Sequence, residues 1–163
     1  MNLGLQDKVM LVSGGAKGIG EAVTRSLAAE GAVACILGRN RDEADRLVTE
    51  LRGGGQRADA FSCEMTDEAE VRAAVAAALL KYGRIDGVIN NAGVNDKVGL
   101  RATTAEVRAS LEKNVVHAFV LVQACLDALI AGRGCVVNIG TKCASTGQGG
   151  TSGYVAAKGA LHA

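Results

Sequence analysis

The chain contains no proline, so its turns fall to other residues, chiefly its 22 glycines. Aromatic residues are scarce. Two tyrosines and two phenylalanines offer almost no stacking platform for bases. Net charge is +1, with acids and bases mixed along the chain and no basic stripe, so nucleic acid is excluded as a partner. Two histidines, His117 and His162, exclude a histidine-rich metal site. The five cysteines (Cys35, Cys63, Cys125, Cys135, Cys143) are odd in number, widely spaced and without a CxxC pair. Neither a disulfide framework nor a metal site is expected from them. Cys35 and Cys135 lie in apolar runs that read as strands, and buried, reduced thiols in a cytoplasmic protein are the expectation.

The first twelve residues place Asp7 and Lys8 just before an apolar stretch and lack a signal peptide's order of regions. The longest apolar region, Val115 to Ala131, is interrupted by His117, Gln123 and Asp127. A membrane span needs roughly 20 predominantly apolar residues, so this region reads as a buried helix with one wet edge. A soluble protein without a membrane partner is expected.

What is present is core material: 48% of residues are hydrophobic and 21% charged. The whole of 1–163 fits one domain at roughly 100–200 residues per domain. Short apolar runs alternate with helical patterns. Strands are predicted at Lys8–Ser13, Ala32–Leu37, Arg57–Ser62, Gly87–Asn90 and Cys135–Ile139. Helices are predicted at Gly18–Glu30, Arg41–Leu51, Asp67–Tyr82 with Asp67 as N-cap, Thr104–Ile130, and from Ser152 onward. Such alternation implies an α/β fold, a parallel sheet with helices on both faces.

Ser13-Gly14-Gly15-Ala16-Lys17-Gly18-Ile19-Gly20 joins the first strand to the first helix. Its glycines allow a sharp turn and close approach to a pyrophosphate, and the helix start offers free N–H groups and a positive dipole end. The spacing is GxxxGxG, not the GxGxxG of the general dinucleotide fingerprint. The second strand ends in Leu37-Gly38-Arg39-Asn40, where enzymes choosing NAD usually carry an acid for the ribose 2′-hydroxyl. Arg39 and Lys17 instead place two cations there, which favours a 2′-phosphate and hence NADP over NAD. Tyr154 and Lys158 are four apart on the last helix and share a face. A fixed ammonium beside a tyrosine favours the phenolate, which fits the tyrosine for proton transfer.

The glycine turn, Asn90-Asn91-Ala92-Gly93, Asn114 and Tyr154-Val155-Ala156-Ala157-Lys158 occur in that order over essentially the whole chain. Together they resemble the short-chain dehydrogenase/reductase family, in its single-domain oxidoreductase branch. The resemblance implies a Rossmann-like, doubly wound three-layer αβα fold with five of the usual strands present, and an NAD(P)-dependent enzyme. It implies Tyr154 as general acid/base and cofactor contact, Lys158 on the nicotinamide ribose, and Asn114 holding a water in a proton relay. Gly14, Lys17, Gly18, Ile19, Gly20 and Arg39 would bind the cofactor. Asn90, Ala92 and Gly93 would sit beside it, with Glu64 and Met65 near the adenine, where the family more often has Asp at the first position. The family's substrate-polarising serine, thirteen residues before the tyrosine, is Thr141 here. Threonine keeps the hydroxyl donor and adds a methyl that restricts χ1.

Val94-Asn95-Asp96, Ser110 to Asn114 and Thr146 to Tyr154 resemble bacterial sugar dehydrogenases of this family that oxidise an aldose at C1, including L-fucose dehydrogenases. That likeness makes Asn95, Asp96 and Gln148 candidate contacts to sugar hydroxyls. A β-ketoacyl or other ketone reductase, and a non-catalytic nucleotide-binding fragment, are the alternatives. His117 reads as a satisfied helix histidine. The chain stops at Ala163, about three turns into a helix with no stop signal, and is expected to be a fragment. The resemblance implies two further strands, a substrate-covering segment and half of a helix-pair interface beyond it. Homo-oligomerisation of the whole protein and an unstable, inactive isolated chain are the corresponding expectations.

Overall fold

A computed structural model describes residues 3–163. Strands β1 (Val9–Ser13), β2 (Val33–Gly38), β3 (Arg57–Ser62), β4 (Gly87–Asn90) and β5 (Cys135–Asn138) pair in parallel, in the order β3-β2-β1-β4-β5. Helices α1 (Gly18–Ala29), α2 (Arg41–Gly53) and α3 (Glu68–Tyr82) connect the first four strands. Then α4 (Thr104–Leu111), a π-helical turn (Glu112–Val116) and α5 (His117–Gly132) lead into β5. The short α6 (Cys143–Thr146) and α7 (Ser152–His162) follow. The winding runs outward from β1 to β3, then returns past β1 to β4. This is the doubly wound, Rossmann-like α/β arrangement, and its crevice lies where the strand order reverses, above the carboxyl ends of β1 and β4.

Alternate residues of the central strands go to opposite layers. Val9 and Leu11 of β1, with Val33, Cys35 and Leu37 of β2, pack with Val71 and Val75 of α3 and Leu121 and Cys125 of α5. Ala34 and Ile36 face Leu47 and Val48 of α2, while Met10 and Val12 pack with Ala32 and Ile89. Both faces are covered, which is why β1 and β2 read as unbroken apolar runs. Each fully buried Leu, Ile or Val contributes about 1.5–3 kcal/mol.

Helix starts follow local chemistry. Asp67 caps α3 by accepting from the Glu70 amide at 3.0 Å, as predicted, and Asn40 caps α2 through the Glu43 amide at 3.3 Å. Thr103 and Glu106 form a reciprocal capping box on α4.

The helix predicted over 104–130 is one helical run, Thr104–Gly132, with a π turn at Glu112–Val116 inside it. Three expectations need correction. Helix α6 was not anticipated. Cys135 is exposed, because β5 is an end strand of the described sheet and all four of its residues are exposed. Segment Thr104–Gly132 has the length and apolar composition of a membrane-crossing helix. Its inner face (Leu121, Cys125, Leu129) is buried, while Phe119, Leu126 and Ile130 are exposed, so its outer edge is apolar and not merely wet.

Candidate active site

The glycine turn is shaped by two different needs. Gly14 (φ 63°) and Gly18 (φ 57°) hold left-handed backbone, which side-chain-bearing residues adopt at a cost. Gly20 instead lies against the Gly14 carbonyl, where a Cβ would overlap it and come 2.6 Å from the Asn91 side-chain nitrogen. Lys17 starts α1 without a side-chain cap, so the first-turn amides remain open to an anion. Asn91 locks the turn from across the sheet. Its side chain donates to the Ser13 and Gly14 carbonyls at 3.0 and 3.1 Å, and the Ser13 hydroxyl accepts the Asn91 and Ala92 amides, each at 3.0 Å. The sequence reading assigned neither Asn91 nor Ser13 a role, although both lie within the quoted motifs.

A cleft of about 860 Å³ opens above the carboxyl ends of the strands. Gly14, Lys17, Ile19, Arg39, Glu64, Met65, Ala92 and Gly93 line it, and so do Asp96, Thr141, Tyr154 and Lys158. A smaller hollow of about 450 Å³ between α2, α3 and β3 holds none of the predicted catalytic residues.

At one end of the cleft, the Arg39 guanidinium pairs with Glu64 Oε2 at 3.0 Å. Glu64 Oε1 accepts the Thr66 amide at 3.2 Å and the Thr66 hydroxyl at 3.1 Å. Burial pushes the Glu64 carboxyl upward, but Thr66 and Arg39 outweigh it and hold the group below the ordinary carboxylate range.

At the other end, α7 carries Tyr154 and Lys158. Gly153 sets how closely this helix approaches: its amide donates to the Val98 carbonyl at 2.9 Å, and a Cβ there would sit 2.9 Å from the Ser110 hydroxyl. Ala157 and Leu161 pack on Val115 and Ala118, which turns Tyr154 and Lys158 toward the cleft. Lys158 is 4% exposed and donates to the Ile139 carbonyl at 3.1 Å, and burial pulls its pKa down. The Tyr154 hydroxyl has no protein partner among the described residues. Thr141 Oγ1 accepts the Cys143 amide at 3.3 Å, which leaves its hydrogen to donate.

Other predicted residues stand behind the wall. Asn114, fully buried in the π turn, accepts the Val94 amide at 2.7 Å and donates to the Ser110 carbonyl at 3.0 Å. One lone pair and one hydrogen of its amide remain for a water. Gly93 makes room for this cluster, since a Cβ there would lie 3.0 Å from Asn114 Oδ1 and 3.3 Å from Lys158 Nζ. Asn90 is buried in β4 and donates to Asn138 Oδ1 at 2.8 Å, joining β4 to β5. Asn95 and Gln148 bond to each other at 3.2 Å outside the cleft lining, whereas Asp96 reaches the lining. Asp96 Oδ1 accepts the Ser110 hydroxyl at 3.0 Å, and Oδ2 is buried without a partner among the described residues.

His117 is buried, and its ring is not satisfied among the described residues. Its ring nitrogens approach the Lys113 and Ala92 carbonyls without forming a hydrogen bond of good geometry. Burial first, then the Lys158 charge, lower its pKa against the pull of those carbonyls and favour the neutral ring. The described residues contain no cluster of three or more metal-ligating side chains.

Comparison with known proteins places this geometry. A putative ketoacyl reductase of the granaticin polyketide synthase from Streptomyces violaceoruber is 38% identical over 147 residues, covering 85% of this chain and 51% of that protein. The L-fucose dehydrogenase of Oryctolagus cuniculus is 35% identical over 158 residues, covering 96% and 54%. The chain thus spans about half the length of these two curated relatives. The crystal structure of a metagenomic short-chain oxidoreductase in complex with NADP superposes with a TM-score of 0.91 at 27% identity, over 97% of this chain and 73% of that one. The model of the short chain dehydrogenase family matches residues 8–163, and the chain belongs to that family.

Proposed function

We propose that this chain forms the cofactor-binding and proton-transfer part of an NAD(P)-dependent oxidoreductase acting on a carbonyl or secondary hydroxyl. The observation that carries the reading is one continuous cleft running from the glycine turn, past Arg39 and Glu64, to Thr141, Tyr154 and Lys158. The turn fits a pyrophosphate: Gly14 lines the cleft in left-handed backbone, and the first-turn amides of α1 beside it have no side-chain cap. When bound, the nicotinamide ring supplies or accepts the hydride. The first-turn amides of α1 would hold the pyrophosphate. Lys158 spends one hydrogen on Ile139 and has two left for ribose hydroxyls. Thr141 gives its hydroxyl hydrogen to the substrate oxygen. In reduction Tyr154 transfers its phenolic proton to that oxygen, and in oxidation it takes the hydroxyl proton.

For the substrate we infer a sugar or small polyol, oxidised at C1 if it is an aldose. Asp96 supports this: it reaches the cleft lining, and a buried carboxylate oxygen without a donor suits a substrate hydroxyl. The L-fucose dehydrogenase relative supports the same reading. A panel of aldoses, polyols and β-ketoacyl thioesters, followed by nicotinamide absorbance with either cofactor, tests it. Turnover of an aldose or polyol is expected. Turnover of β-ketoacyl thioesters alone would retain the oxidoreductase and remove the sugar. An enzyme with an intact fold and no hydride transfer to or from any of them would overturn the substrate reading.

A further inference from the structure

The sequence places two cations, Lys17 and Arg39, at the adenosine end of the cleft. The fold brings two carboxylates to the same wall: Glu64 from the segment after β3, and Glu43 from the first turn of α2. We propose that Glu64 sets the cofactor preference by competing with a ribose 2′-phosphate for Arg39. This rests on the cofactor reading above and names the group that tunes it.

The two partners are unequal. Glu64 is pinned, with Oε1 held by the Thr66 amide and hydroxyl and Oε2 presented to Arg39 at 3.0 Å. The Arg39 side chain is 82% exposed and free to swing. A 2′-phosphate, with a charge of about −1.5 to −2, must share with Glu64 a guanidinium already held through Nη1, and sit near two carboxylates. A 2′-hydroxyl meets neither penalty. Glu43 Oε2 has no partner among the described residues and offers a hydroxyl an acceptor. This end of the cleft therefore accepts both cofactors, and the advantage that Arg39 gives NADP is held down by Glu64.

The pair is solvent-exposed, so its release is worth at most about 1 kcal/mol, roughly a fivefold change in a binding ratio. The experiment is a double-mutant cycle on this chain: Glu64→Gln and Arg39→Ala, singly and together, with Kd for NADPH and NADH from cofactor fluorescence. Glu64→Gln is expected to raise the NADPH-over-NADH preference about two- to fivefold. The same change in the Arg39→Ala background should leave the preference nearly unmoved. Glu64→Asp keeps the charge but withdraws it by one methylene, and should shift the preference in the same direction by less. An equal shift in both backgrounds would reduce Glu64 to a distant charge, and no shift in either would remove it from the selection; both overturn the proposal. A folded wild-type chain that binds neither cofactor would instead sink the cofactor reading itself, and this inference with it.

Discussion

β1 and β5 are both short, apolar, parallel strands that run up to the same cleft, yet their surroundings are opposite. All five residues of β1 are buried, between β2 and β4 and under helices on both faces. All four residues of β5 are exposed, with Val136 at 41% and Val137 at 46%. β1 delivers the glycine turn, and β5 leads to Thr141 and the segment before Tyr154. The end proposed to bind the cofactor therefore stands on the best-packed part of the sheet, and the end proposed for proton transfer stands on its open edge. A strand's composition states that it can be buried; only its neighbours determine whether it is.

The largest expected effect separates the two ends by function. Tyr154→Phe should lower turnover of the enzyme about 10²- to 10⁴-fold, the usual worth of a general acid/base, while leaving the NADPH Kd within about twofold. A Kd that weakened in step with turnover would mean that the two ends are not separable.

Next comes packing. Leu11→Ala, in the fully buried β1, should cost about 2–5 kcal/mol, measured as a fall in the denaturant midpoint. Val136→Ala on β5 should stay within about 0.5 kcal/mol. Comparable losses would show β5 to be covered in solution. A thiol reagent sharpens the same contrast, since Cys135 should label in the folded protein while Cys35, Cys63 and Cys125 wait for unfolding.

The last expected effect is a pH dependence confined to the core, with no change near neutral pH. Burial pushes the Cys35, Cys63 and Cys125 thiols up to about 12, 11 and 12. In the unfolded chain they ionise near pH 8.5. Above that pH the unfolded state binds fewer protons than the folded one. The stabilisation is thus full below about pH 8.5 and is lost as pH rises toward 11–12, by up to about 1.4 kcal/mol per pH unit for each thiol. Chemical denaturation between pH 8 and 11 should show this decline, and Cys125→Ala should flatten it. A slope unchanged by that substitution would place the alkaline sensitivity elsewhere.

Much of the fold was legible in the sequence because its information is local. The spacing of Tyr154 and Lys158 survives any packing, since four residues make about one helical turn. The Asp67 cap, the glycine turn and the five apolar runs are likewise decided within a few residues. The π turn within the long helix was not legible, because the segment Glu112 to Val116 carries no proline or glycine to announce it. The role of Asn91 stayed hidden within its motif, because its partners Ser13 and Gly14 lie 78 and 77 residues away. Neither the burial of His117 nor its unsatisfied ring was legible, since both are properties of the packed interior.

By itself, then, the sequence determined the α/β alternation, the glycine turn, the tyrosine–lysine face and the order of the motifs, all through short-range backbone and helix geometry. Tertiary structure alone decided which apolar strand is buried and that Asp96 reaches the cleft while Asn95 and Gln148 do not. It also decided that Arg39 meets Glu64, 25 residues further on, because β2 and β3 lie side by side. Charges counted along a chain do not reveal the charge at a site, since neighbouring strands bring together residues that the sequence keeps apart.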